Sequence, residues 1–310
     1  MLDRPSLTAA GRAARLVDGR RLREMTLAAR HDVRQYDPPA DPDDELVAET
    51  VEPYDSVADA EARLERLEQR LLDRGDRRAV FLTIYSRMTS RIRTRLDGGA
   101  FANTEWMRAY TTTFANYYRR AFLAFERGDL GAVPDPWRIA FGTAFRGDAL
   151  VMQDAFLGIN AHVNYDLALT LRDVGIDARR ATKRADHFAV DDMLTRLVDV
   201  QQRLLAEVYA PGVADIDATF GRLDERLSLL GITEGREQAW RVAVVLEDAA
   251  WPPIRSAARW VLRATATGGA VVIRNAGLHP HLLDRLRRLE REGITDEEIL
   301  ASLVSSLDEV

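Results

Sequence analysis

Cysteine is absent from all 310 residues, which removes disulfides, iron-sulfur clusters, thiolate zinc sites and cysteine nucleophiles together. Any bound metal would need nitrogen and oxygen ligands. Lysine is nearly absent too: among 43 basic residues only Lys183 is a lysine, so Schiff-base chemistry has a single candidate. No apolar run approaches the roughly 20 residues that cross a bilayer. The opening Met1-Leu-Asp-Arg-Pro5 has no apolar signal-peptide core, so the expected address is the cytoplasm. Net charge is a modest −6, and arginines such as Arg87, Arg91, Arg93 and Arg95 belong to a chain with acids interspersed elsewhere. Without a long basic run, nucleic acid is not an expected partner. A glycine-rich phosphate loop, a serine nucleophile elbow and an HExxH zinc helix are all missing.

What the chain does hold is helical pattern. With 46% hydrophobic and 30% charged residues, it can bury a sizeable core. Leu64, Leu67 and Leu71 predict a helix from Ser56 to about Asp73, with Gly75 as its stop. A second, from about Arg77 to Leu96, carries Phe81, Ile84, Tyr85, Met88 and Ile92 inward. A third starts after Asn103 and bears the stripe Trp106, Tyr110, Phe114, Tyr118, Phe122 and Phe125, which reads as core rather than as a cofactor cradle. Pro134-Asp-Pro-Trp137 turns the chain into a helix that Gly147 interrupts and that resumes to about Asp173. Further helices are expected at about 178–209, 215–229, 234–250 and 254–266. The fold class is all-α, a multi-helix bundle with long antiparallel central helices.

The expected organisation is an N-terminal helical arm and acidic, proline-rich linker over 1–55, a helical core over 56–266, and an appendage over 267–310. In that tail Gly268-Gly-Ala-Val-Val-Ile-Arg274 reads as a short strand or loop, and Thr295-Asp-Glu-Glu298 as a capping box opening a final helix.

Two four-residue steps carry the chemistry. His162 and Asp166, and again His187 and Asp191, lie one helical turn apart and so share a face. On a helix apolar nearly all round, such polar residues require partners. If the chain folds back at Gly175-Ile-Asp177, His162 lies 13 residues before the turn and Asp191 lies 14 after it. Asp166 and His187 are likewise nine before and ten after. Antiparallel helices would then bring all four together, and two histidines with two aspartates suit a divalent ion such as zinc, manganese or iron. Two other readings of the same residues stand beside it: a buried structural network of His, Asp and Asn, and metal-free catalysis with His162 as general base oriented by Asp166. Asn160 and Asn164, across the helix from His162, read either as clamps between helices or as catalytic groups that orient a substrate. Tyr85 and Arg241 are secondary candidates for that role.

Phe81-Leu-Thr-Ile-Tyr-Ser-Arg-Met-Thr89, Phe101-Ala-Asn-Thr-Glu-Trp106 and Leu157-Gly-Ile-Asn-Ala-His-Val-Asn-Tyr-Asp-Leu167 together resemble an uncharacterised helical domain family of haloarchaea and actinobacteria. Its mark is LGINAH followed by an aspartate four residues on. The likeness spans roughly residues 57–262 and implies a helical domain without an established activity. A looser likeness is to helical zinc-dependent phospholipases and nucleases, although their further histidines and their N-terminal ligand have no match here. The functional expectations are a metal-dependent hydrolase acting on a small ester, phosphoester or lipid, and, from a different class, a non-catalytic ligand-binding or scaffold domain.

Overall fold

The computed structural model describes residues 4–191, 194, 232–275, 281, 284, 286–288 and 290. Among them the regular elements are all helical, and the architecture is an all-α bundle. In chain order the helices are α1 (Arg4–Ala14), α2 (Gly19–Arg30), α3 (Asp44–Thr50), α4 (Val57–Asp73), α5 (Ala79–Asp97), α6 (Thr104–Glu126), α7 (Asp135–Arg146), α8 (Val151–Ala161), α9 (Leu167–Asp173), α10 (Arg180–Phe188), α11 (Ile232–Asp248) and α12 (Pro252–Arg274). A five-residue π-helical turn, His162–Asp166, joins α8 to α9. No helix among the described residues is long and apolar enough to cross a membrane.

Local chemistry sets the ends. Ser56 caps α4 by accepting a hydrogen bond from the Asp59 amide, and Asn103 caps α6 through the Trp106 amide. Each side chain satisfies a donor that a helix start leaves unpaired. Gly75 and Gly147 end their helical stretches at positive φ, a conformation that costs glycine least. The inward stripes then meet in two adjoining cores. One joins Leu64, Leu67 and Leu71 of α4 to Tyr118, Phe122 and Trp137. The other joins Leu167 and Leu171 of α9 to Trp240, Val242, Val261 and Leu262. Phe114 and Val163 pack against both, so the π turn lies at the seam.

Several expectations are corrected here. Gly268–Arg274 is neither strand nor loop: α12 runs unbroken through it. The reason is close approach. A Cβ at Gly268 would lie 2.0 Å from the backbone oxygen of Glu24 on α2, so two helices touch where a larger residue would hold them apart. The proline-rich stretch is exposed at Pro42 and Pro53 but is anchored to the bundle. Tyr36, Leu46 and Tyr54 are buried in the first core, and Arg119 donates to the Thr50 carbonyl at 2.6 Å. Nor does the chain fold back along α9 after Gly175. Left-handed backbone at Gly175 and Arg179 redirects it into α10, which packs on α6, while α9 packs on α11. The helices expected at 215–229 and after Thr295 lie outside the described residues.

The α2–α12 contact gives a test. Alanine favours helix over glycine by about 1 kcal/mol, yet Gly268→Ala is expected to destabilise the protein by about 1–3 kcal/mol because the backbone must move. Gly11→Ala on α1, whose new Cβ meets nothing within 4 Å, is expected to be neutral or mildly stabilising. Urea denaturation of both variants measures the contrast; equal effects would remove the steric account.

Candidate functional site

The π turn delivers two of the expected residues to one point. Its extra residue per turn is closed by the Leu167 amide donating to the His162 carbonyl. Such single-turn insertions are frequent where a helix must re-aim side chains at a functional site. His162 and Asp166 are 2% and 1% exposed, and His162 Nδ1 lies 3.0 Å from Asp166 Oδ2. The same oxygen accepts a 2.7 Å bond from Trp137 Nε1 on α7. Phe114 stacks face to face on the imidazole, with centroids 3.5 Å apart and planes within 7°. Tyr85 meets it edge-on at 4.5 Å. Gly158, one turn earlier, makes room for Phe81: a Cβ there would fall 2.3 Å from that ring.

Burial dominates the electrostatics. It lowers the pKa of His162 against the opposing pull of Asp166, and it raises that of Asp166 against the bonds from His162 and Trp137. The imidazole is thus held neutral, its Nδ1–H donating to Asp166 and its Nε2 carrying the lone pair. Nε2 is buried without a hydrogen-bond partner. His162 is among the residues that line a cavity of about 80 Å³, with Tyr85, Met88, Ile92, Phe114, Val163 and Arg236. A neutral imidazole with one nitrogen fixed and the other unpartnered can accept a proton or a hydrogen bond.

The remaining predicted residues are elsewhere. His187 Nδ1 lies 3.0 Å from the Tyr110 hydroxyl and its Nε2 lies 3.3 Å from the Arg236 carbonyl. With Nε2–H donating to that carbonyl, Nδ1 accepts from tyrosine, the opposite tautomer from His162. Burial and the Arg236 charge hold the His187 pKa well below its ordinary value. Asp191 pairs with Arg236 at 2.6 Å. The four His and Asp side chains therefore do not converge, and among the described residues no group of three or more acid or histidine side chains is placed to hold a metal ion. The expected ligand set rested on a fold-back along α9, and α10 packs on α6 instead.

Asn160 and Asn164 do not face the cavity. Asn160 Nδ2 donates to the Ala266 carbonyl of α12 at 2.8 Å, and Asn164 Nδ2 donates to Asn160 Oδ1 at 3.0 Å. Gly235 of α11 lies so close that a Cβ would meet Asn164 Oδ1 at 2.3 Å. Together they clamp the π-turn segment to α11 and α12. Tyr85 does line the cavity, whereas Arg241 is exposed and paired with Glu237. Sequence reasoning missed Trp137 and Phe114 as partners of His162. The one signal for Trp137 is generic, since a buried indole N–H demands an acceptor.

The chain belongs to a family of unknown function, DUF5995, whose model matches residues 57–276. The match takes in α4 to α12 and every residue around the cavity. No curated protein and no solved structure matches the chain.

Trp137→Phe removes the N–H together with the five-membered half of a fully buried indole. It is expected to cost about 2–5 kcal/mol, the penalty of an under-satisfied buried carboxylate plus that of the cavity left behind, and to lower the urea midpoint with no loss of helical circular dichroism. A change within error would mean that Asp166 does not depend on the indole. The histidines give a pH signature. Both have folded pKa values below the ordinary 6.5, so below that pH the unfolded chain binds protons that the folded protein refuses. Their stabilising share is complete above 6.5 and is withdrawn as pH falls toward the depressed values. Asp166, with its pKa raised, has the opposite sign: its share is complete below the ordinary 3.8 and fades as pH climbs through the folded value. Glu24 and Asp154, pushed by burial up to about 7, gain stability over the same fall in pH and oppose the histidines, so the histidine share is read as a difference. The urea midpoint of the wild type relative to His187→Gln should decline between about pH 7 and about pH 5, and parallel curves would remove His187 as a source.

Proposed function

We propose that the protein binds a compact, mainly apolar molecule carrying one polarised X–H group, with His162 Nε2 as the acceptor. The observation that carries this reading is the buried, unpartnered Nε2 of a histidine that lines an aromatic-walled cavity. The Tyr85 hydroxyl is also buried without a partner, and Thr89, Thr111 and Arg236 share the lining, so a water with two to four polar partners is the occupant that a ligand has to displace. A small ligand can instead spend its apolar surface on Met88, Ile92, Phe114 and Val163 and its one donor on His162. Where that group is acidic enough to be transferred, the same contact is general-base catalysis, with Asp166 holding the ring's orientation and stabilising the imidazolium that forms. This reading takes the metal-free alternative, since the histidines and acids are not gathered around one point.

Full burial of the His162–Asp166–Trp137 chain favours a second reading, a polar network that specifies how α7 packs on the π turn. The cavity distinguishes the two. Pyrrole and furan have nearly the same shape, but only pyrrole donates a hydrogen bond. Pyrrole is expected to shift the His162 Nε2 signal in nitrogen-15 NMR and to bind about tenfold tighter than furan, the worth of one buried hydrogen bond. His162→Phe should abolish that preference. Equal affinity for both, or no binding by either, would leave the structural network as the better account.

A further inference from the structure

The first half of α12 presents a surface that neither the cavity nor the packing uses. The helix holds four arginines and no acid, in a chain whose net charge is −6. Ile254, Ala258, Val261 and Leu262 face inward, while Pro253, Ser256, Ala257, Arg259 and Trp260 face out. Trp260 is 60% exposed, the most open large apolar side chain among the described residues, and Trp251 at the start of the helix is 46% exposed. Two of the arginines are neutralised, Arg263 by Asp135 at 2.7 Å and Arg274 by Asp148 at 2.9 Å. Exposed Arg255 and Arg259 form no ion pair among the described residues.

We propose that this face docks the protein on an anionic lipid bilayer. Tryptophan is suited to the headgroup level, where its ring leaves water and its N–H stays solvated. Arginines beside it extend toward lipid phosphates while their stems lie along the apolar surface. A helix face carrying exposed small residues around one exposed indole fits shallow insertion. Two unpaired cations are few for nucleic acid, whose affinity rests on many phosphate contacts. This inference is independent of the cavity reading.

The test is co-sedimentation of the full chain with vesicles of pure phosphatidylcholine and of equimolar phosphatidylcholine and phosphatidylglycerol. The wild type is expected to bind the anionic vesicles, more weakly as salt rises, and to have its tryptophan emission quenched by brominated acyl chains. Arg255→Glu with Arg259→Glu should weaken binding about tenfold or more. Trp260→Ser should lose most of the quenching. All three positions are exposed, so melting curves of the variants should match the wild type. Absence of binding to anionic vesicles, equal binding by the charge-reversed and wild-type proteins, or binding to duplex DNA or an acidic polypeptide without binding to vesicles would overturn the proposal.

Discussion

A carboxylate taken out of water is among the most costly groups a core can hold unless its oxygens are bonded, and the centre of this fold is organised around one. Asp166 resides at the junction of two apolar cores. Its Oδ2 draws the indole of α7 and the imidazole of the π turn to a single point. Oδ1 is buried without a partner among the described residues, so the two bonds to Oδ2 alone fix the height of α7 against the turn and the tautomer of His162. The aromatic residues of α5 and α6 then enclose the ring. Phe114 belongs to the contact shell of both cores, so the stacking that holds His162 also ties the two halves of the bundle.

The second histidine obeys the same physics with the opposite result. His187 is buried and neutral, but both its nitrogens are occupied by Tyr110 and the Arg236 backbone, and it has nothing left to offer a ligand. Arg236, in turn, divides its guanidinium between Asp191 and the His187 carbonyl. One histidine is a finished structural joint, and the other keeps a free lone pair at a cavity. The difference arises from which atoms approach the ring, since residue type and spacing are identical in the two pairs.

That identity explains how far the sequence could be read. Leu64, Leu67 and Leu71 with the Ser56 cap, and the aromatic stripe after Asn103, carry period and punctuation together, so α4 and α6 were legible almost to the residue. The pairing of His162 with Asp166 was legible as well, because one helical turn relates them in any helix. What lay beyond reach was tertiary: the register of α9 against its neighbours, which turned on backbone conformation at Gly175 and Arg179, and the π turn, which has no signature in side-chain periodicity. Gly268 and Gly269 misled because glycine reads as a breaker until a second backbone is known to lie against it. Asn160 and Asn164 are legible as polar residues needing partners, and one helical turn relates them to each other, but the carbonyl of α12 that Asn160 bonds lies 106 residues away in sequence.

The contact between α2 and α12 also distributes constraint unevenly. On one side it consists of a missing side chain at Gly268; on the other, of main-chain atoms of Glu24. Every amino acid supplies the same main chain, so substitutions near that crossing on α2 can leave the approach distance untouched, whereas any replacement of Gly268 changes it. The distance at that crossing is therefore set from α12, whereas the seating of α2 around it also draws on its own side chains, Met25 and Leu27 against the cores and Arg20 and Arg21 on Glu234.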